Sequence, residues 1–127
     1  MTNYIKYEVK VYTNGDKHWY LNDQRHREDG PAVEYSDGRK AWYLNGKRHR
    51  EDGPAIEYSN GGKEWYLNGN LHRKDGPAVE YSDGRKVWCL NGKHLTEEEF
   101  NERMTPTVEM TMAQINEALG KNVKVVK

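Results

Sequence analysis

Imidazole and carboxylate recur together along this chain, as His26 with Asp29, His49 with Asp52 and His72 with Asp75. At such short spacing the pair could orient a proton for general acid–base work or supply part of a zinc shell. An Arg follows each His (Arg27, Arg50, Arg73), and Glu34, Glu57 and Glu80 come after in the same order. Arg beside Tyr or Trp could form a cleft for a phosphate-bearing ligand, because guanidinium is a bidentate fork and an aromatic ring stacks on a base. A catalytic site, however, needs one asymmetric constellation. Here the same pair appears three times, with no Ser or Cys at a fixed distance from it. The sequence therefore predicts no enzyme, no catalytic residue, no metal site and no cofactor. In the plain reading each Asp accepts backbone N–H groups in its turn, and each His packs on or bonds to a neighbouring copy. Arg and Glu then pair across copies, worth about 0.2–1 kcal/mol each where exposed.

The elements that position these residues come from a repeat. Trp19, Trp42, Trp65 and Trp88 are all the Trp in the chain and lie 23 residues apart. Counted from the Tyr before each Trp, the copies are Tyr12–Glu34, Tyr35–Glu57, Tyr58–Glu80 and a partial fourth from Tyr81. The second and third agree at 16 of 23 positions. Asp37-Gly38, Asn60-Gly61 and Asp83-Gly84 read as two-residue hairpin turns of type I′, as do Asn45-Gly46, Asn68-Gly69 and Asn91-Gly92, with Asn22-Asp23 a weaker version. Between them, Lys-x-Trp-Tyr-Leu is too short for a helix and rich in strand formers. The Asp-Gly-Pro step interrupts the ladder, since Pro donates no backbone hydrogen bond. The fold class expected is mostly β, a single-layer antiparallel hairpin meander.

Side chains alternate across such a sheet. Lys40, Trp42 and Leu44 share one face; Ala41 and Tyr43 share the other. Stacked copies should align the four indoles in a ladder, flanked by the stems of Lys17, Lys40, Lys63 and Lys86. Tyr20, Tyr43, Tyr66 and then Cys89 should run down the opposite face, with Cys89 a small substitution rather than a nucleophile. Differences between copies are informative. The position before Trp reads His18, Ala41, Glu64, Val87, and two places earlier Asp16, Arg39, Gly62, Arg85. The expectation is that the Trp face is packed. The Tyr face would then be the recognition surface, with Tyr20, Tyr43, Tyr66, His18, Arg39, Glu64, Arg85 and the Arg27, Arg50, Arg73 series as binding residues. Neutral drift at solvent-facing positions would produce the same variation.

Composition bounds the rest. The 127 residues are 35% hydrophobic and 31% charged, with mean hydropathy −1.15. Aliphatics are scarce, and nine Tyr and four Trp take their place, each burying a large area while keeping a polar edge wet. Twenty Lys and Arg balance 20 Asp and Glu, which makes nucleic acid an improbable partner. No apolar run is long enough to span a membrane, the start lacks a signal-peptide pattern, and one Cys makes no internal disulfide. A soluble, cytoplasmic protein is expected, with no membrane partner.

The ends differ from the array. Ile5, Tyr7, Val9 and Val11 alternate with charged residues as a half-buried strand, so residues 1–11 should cap the repeats of residues 12–95. Thr96-Glu97-Glu98-Glu99 is a capping box opening a helix to about Met104, ended by Pro106. Thr111 to Gln114 is a second, with Ile115, Ala118 and Leu119 as an apolar stripe and Gly120 as the stop. Val108 and Met110 before it, and Val123, Val125 and Val126 after it, suggest strands, making residues 96–127 a small α+β cap.

Asn-Gly-Lys-Arg-His, followed by Asp-Gly-Pro-Ala-x-Glu-Tyr and a Gly turn, resembles the MORN repeat (membrane occupation and recognition nexus) in its bacterial and viral variant form. It departs from the eukaryotic pattern in the Arg-Glu-Asp between His49 and Gly53. The tail, from Leu-Asn-Gly-Lys-His-Leu-Thr-Glu-Glu-Glu-Phe onward, resembles the tails of small tailed-phage accessory proteins. These resemblances imply a single-layer hairpin array used as a binding scaffold, in a phage product. The function expected is a non-enzymatic module that binds and blocks a host protein of antiviral defence. Two alternatives stand beside it: sequestration of a small nucleotide-like signal between repeats, and neutralisation of a toxin. The unpaired edges of a meander leave monomer or homodimer open.

Overall fold

The computed structural model describes residues 6–105 and 110–119. The chain opens with β1 (Tyr7–Val11), β2 (Lys17–Leu21), β3 (Gln24–Arg25) and β4 (Val33–Glu34). It continues through β5 (Lys40–Ala41), β6 (Tyr43–Leu44), β7 (Lys47–Arg48) and β8 (Ile56–Glu57). The third copy supplies β9 (Lys63–Glu64), β10 (Tyr66–Leu67), β11 (Asn70–Leu71) and β12 (Val79–Glu80). The fourth ends in β13 (Lys86–Leu90) and β14 (Lys93–Leu95), followed by helices α1 (Glu97–Met104) and α2 (Met112–Leu119). Every pairing is antiparallel, and the main sheet runs β1-β2-β4-β5-β8-β9-β12-β13-β14. The architecture is the mostly β repeat meander with two short helices near its end. Among the described residues no helix is long and apolar enough to cross a membrane.

Each strand changes partner at its Trp. Trp42 donates its N–H to Ala55 O at 2.7 Å, in the main ladder, while its carbonyl accepts from His49 N at 3.1 Å, within the hairpin β6–β7. The same two bonds recur at Trp19 and Trp65. The hairpins beyond the Trp then join edge to edge: Arg27 N to Tyr43 O, Arg50 N to Tyr66 O and Arg73 N to Cys89 O, at 3.1–3.2 Å.

The register sorts side chains into two rows. One reads Lys17–Glu34–Lys40–Glu57–Lys63–Glu80–Lys86, seven alternating charges placed opposite one another; opposite-sign cross-strand neighbours stabilise a sheet. The other reads His18–Val33–Ala41–Ile56–Glu64–Val79–Val87. Here the core lies. Ala32, Val33, Ala41, Tyr43 and Ile56 form the buried cluster, and Tyr35 and Tyr66 pack against it.

The two kinds of turn differ. Asn45-Gly46, Asn68-Gly69 and Asn91-Gly92 have positive φ at both residues, as type I′ requires, and Asn22-Asp23 manages the same without Gly. At Asp37-Gly38, Asn60-Gly61 and Asp83-Gly84 only the Gly is left-handed. Tyr35 O accepts from Gly38 N at 3.0 Å, and Tyr35 N donates to Arg39 O at 2.9 Å. This is a three-residue connection ending in a left-handed Gly rather than a two-residue I′ turn. The Asp37 side chain sets it by accepting from Arg39 N at 2.9 Å.

At the C-terminal end, Thr96 and Glu99 exchange side-chain-to-backbone bonds in a complete capping box on α1, and Phe100 of α1 is buried. α1 packs on β13 and β14. Thr111 and Gln114 make the second box, at 2.9 and 3.1 Å, ahead of α2. Met110 is not in a strand. Ile5, Val108, Gly120, Val123, Val125 and Val126, and the side chains of Ala118 and Leu119, lie outside the described residues.

Candidate functional site

The three Arg of the His-Arg motif are built into the scaffold. Arg27, Arg50 and Arg73 each donate Nε to the Asp two residues on, at 2.9, 2.9 and 2.8 Å. Nη1 of each donates to the carbonyl of Pro31, Pro54 or Pro77 at 3.2, 3.1 and 3.1 Å. Each guanidinium lies over the indole of its own copy, 4.1, 3.9 and 3.8 Å from the ring centroids of Trp19, Trp42 and Trp65. A Cβ at Gly30, Gly53 or Gly76 would stand 3.0 Å from the guanidinium carbon, so the Asp-Gly-Pro glycine exists to let the fork lie flat. Arg50 and Arg73 also approach Glu57 and Glu80 of the same copy at 3.6 and 3.8 Å. The pairing is thus within a copy rather than across copies. The main partner is the Asp, which the sequence had assigned to its turn's backbone.

The indoles do not glue the array by stacking on one another. The aromatic pairs among the described residues join Tyr12, Tyr20 and Tyr35 to His18; none joins two indoles, because an Arg occupies the face of each of the first three. The bond between copies is made by His. Nδ1 of His26, His49 and His72 accepts the N–H of Asn45, Asn68 and Asn91, 2.9 Å in each case, at the next copy's type I′ turn. Accepting at Nδ1 fixes a neutral ring with its proton on Nε2, which faces Glu28 Oε1 at 3.4 Å and Glu51 Oε1 at 3.6 Å in the first two copies. Lys74 takes the Glu position in the third. There burial, and then the Lys74 charge, hold His72 below the ordinary imidazole range.

The Tyr side holds the remaining predicted residues, and it is the packed side. Tyr43 is only 9% exposed and belongs to the core. This corrects the expectation at Tyr43, which is core rather than presented, while Tyr20, Tyr66 and the four indoles are all half-buried. The strand changes partner at Trp, and Tyr43 and Tyr66 are drawn in against the Ala and Val row. His18, also 9% exposed, sits among Tyr12, Tyr20 and Tyr35; burial, then the Arg25 charge, lowers its pKa. Glu64 accepts from the hydroxyls of Tyr58 and, at 2.8 Å, Tyr66. Burial and these bonds raise both phenols to about 12. Arg48 adds contacts to the Tyr43 and Tyr66 hydroxyls at 3.4 and 3.5 Å. Arg39 and Arg85 do not converge on one cleft: each covers its own copy's Tyr, Tyr35 at 3.8 Å and Tyr81 at 4.5 Å. Cys89 is fully buried, and burial raises its thiol pKa.

A small hollow of about 210 Å³ opens on the Tyr side beside Tyr58, Glu64 and Tyr81, but the larger open spaces lie on the Trp side. Two consecutive slots separate the His-Arg-x-Asp-Gly-Pro loops. The first, about 720 Å³, has Trp42 and Leu44 as its floor between the Arg27–Pro31 and His49–Asp52 walls. The second, about 800 Å³, repeats it with Trp65 and Leu67. The rims differ: Glu28 and Glu51, with side chains 76% and 84% exposed, flank the first, whereas Glu51 and Lys74 flank the second. Sequence reasoning missed Leu44, Leu67, Glu28 and Glu51; the Glu, Glu, Lys series at one position of the unit was the available signal. Among the described residues no three His, Cys, Asp or Glu side chains converge as a metal site would. No protein-family model, curated protein or solved structure matches the chain.

Proposed function

We propose that this chain is a non-enzymatic binding module, an array of MORN-like variant repeats that grips a protein partner along its Trp side. The observation that carries the reading is the pair of consecutive slots floored by Trp42 with Leu44 and Trp65 with Leu67. Aromatic rings and Arg are the groups that anchor protein interfaces. Here each Arg is already held by a carboxylate, a carbonyl and an indole, so presenting the surface costs little conformational entropy. The residues with acid–base potential are spent on structure three times over, His on the next copy's turn and Asp on Arg. The same engagement disfavours a phosphate-bearing ligand, which would have to displace Asp from Arg. Following the resemblance of repeat and tail, the partner is a host protein of antiviral defence and the setting a phage infection, with blockage steric.

The test is affinity capture from infected-cell lysate with the native chain and with a Leu44→Asp/Leu67→Asp variant whose circular dichroism matches it. Capture of one host polypeptide by the native chain, lost in the variant, is expected. Equal capture by both, no captured polypeptide, or a thermal shift with a nucleotide panel in its place would overturn the reading.

A further inference from the structure

The N-terminal edge of the sheet carries a surface complementary to itself. Asn22 N donates to Lys6 O, and Tyr12 N donates to Asp16 O, both at 2.9 Å. Residues 6, 8, 10 and 12 therefore direct their backbone groups at β2, and the alternation of an antiparallel ladder turns those of Tyr7, Val9 and Val11 outward. Among the described residues no strand pairs with that outer edge. The side chains of Tyr7, Val9 and Val11, which share the face of Trp19 and Leu21, are 58%, 49% and 66% exposed. An open edge bearing an apolar row is a template for another strand.

We propose that a second copy of this chain fills the edge, β1 against β1, antiparallel about a two-fold axis through Val9. In that register Val9 faces Val9 of the second copy and Tyr7 faces Val11, and all three are hydrogen-bonded pairs because the outward residues meet one another. Glu8 falls opposite Lys10 in both directions. Charge selects this register over its neighbours of the same parity. A shift one way sets Lys10 against Lys10; the other way sets Glu8 against Glu8 and Lys6 against Lys10. Like charges directly opposed destabilise a strand pair. The dimer extends one sheet through both copies, with the Trp sides of the two arrays on the same face. A contact of five residues per chain is small, so the dimer is concentration-dependent.

Sedimentation equilibrium from micromolar to millimolar chain tests this with the native chain, Glu8→Lys, Lys10→Glu, the double exchange and an equimolar mixture of the two single variants. The native chain should dimerise, and each single variant should weaken dimerisation about ten-fold or more, two symmetric pairs having changed sign. The double exchange and the mixture should both recover it, which also shows that the single variants are folded. A native chain that stays monomeric, a dimer indifferent to the single changes, or a mixture that fails to recover would overturn the proposal.

Discussion

The two ends of the array finish the same repeat in opposite ways. At the C-terminal end the fourth copy keeps its Trp, Asn and Gly, then places Leu95 where earlier copies have the bridging His and Thr96 where they have the Arg over the indole. Leu95 is buried, Thr96 caps α1, and α1 brings Phe100 in as a lid on β13 and β14. At the N-terminal end β1 is the outermost strand among the described residues, with an apolar row and three outward-facing backbone positions. A repeat that depends on its neighbour must be ended somewhere. The chain closes one end with its own helix, whereas among the described residues no strand pairs with the outer edge of β1.

The largest effect should come from lifting the lid. Phe100→Ala is expected to cost about 3–5 kcal/mol, and in a quasi-one-dimensional array the loss should spread from that end. Native-state hydrogen exchange should show β13 and β14 deprotected well before β4 and β5; uniform loosening would break the contrast between the ends. An intermediate effect lies one joint inward, where His72 bridges the third copy to the fourth. Its pKa is lowered, so the unfolded chain takes up the proton first. The stabilisation is therefore complete above about pH 6.5 and is lost as pH falls below it towards the folded value. His72→Ala, which orphans the Asn91 N–H, should cost about 1–2 kcal/mol at pH 7.5 and shrink the fall in melting temperature between pH 7.5 and pH 5; an unchanged fall would remove His72 from the pH response. The smallest effect is expected at the open end. Val11→Thr should shift stability of the dilute chain by no more than about 0.5 kcal/mol, and a larger change in denaturant midpoint would mean that β1 is more than an added edge.

Much of this was legible in the sequence. The 23-residue spacing, the Asn45-Gly46, Asn68-Gly69 and Asn91-Gly92 turns, the alternation of Ala41, Trp42, Tyr43 and Leu44, and both capping boxes depend on local backbone rules and stand in the structure. The choice of buried side was not legible, because Trp and Tyr both present an apolar body and a polar edge and either could form the core. The change of partner at Trp decides it, through long-range bonds such as Trp42 to Ala55. The Arg over each indole left a trace that went unread: Arg27, Arg50 and Arg73 each stand eight residues after a Trp and three before a Gly, and Thr96 breaks the series. Their geometry needs tertiary structure, since Arg pairs as readily with Glu on paper as with a ring and a carbonyl in place.

The His-to-Asn bridge spans 19 residues wherever it occurs, and this makes the array intolerant of small changes in length. One residue inserted within such a span would pull that imidazole off its amide. A whole unit inserted between Glu57 and Tyr58 would give each donor an equivalent acceptor and add a further slot. Gene duplication in complete steps is the one change of size that such a sheet accepts without loss.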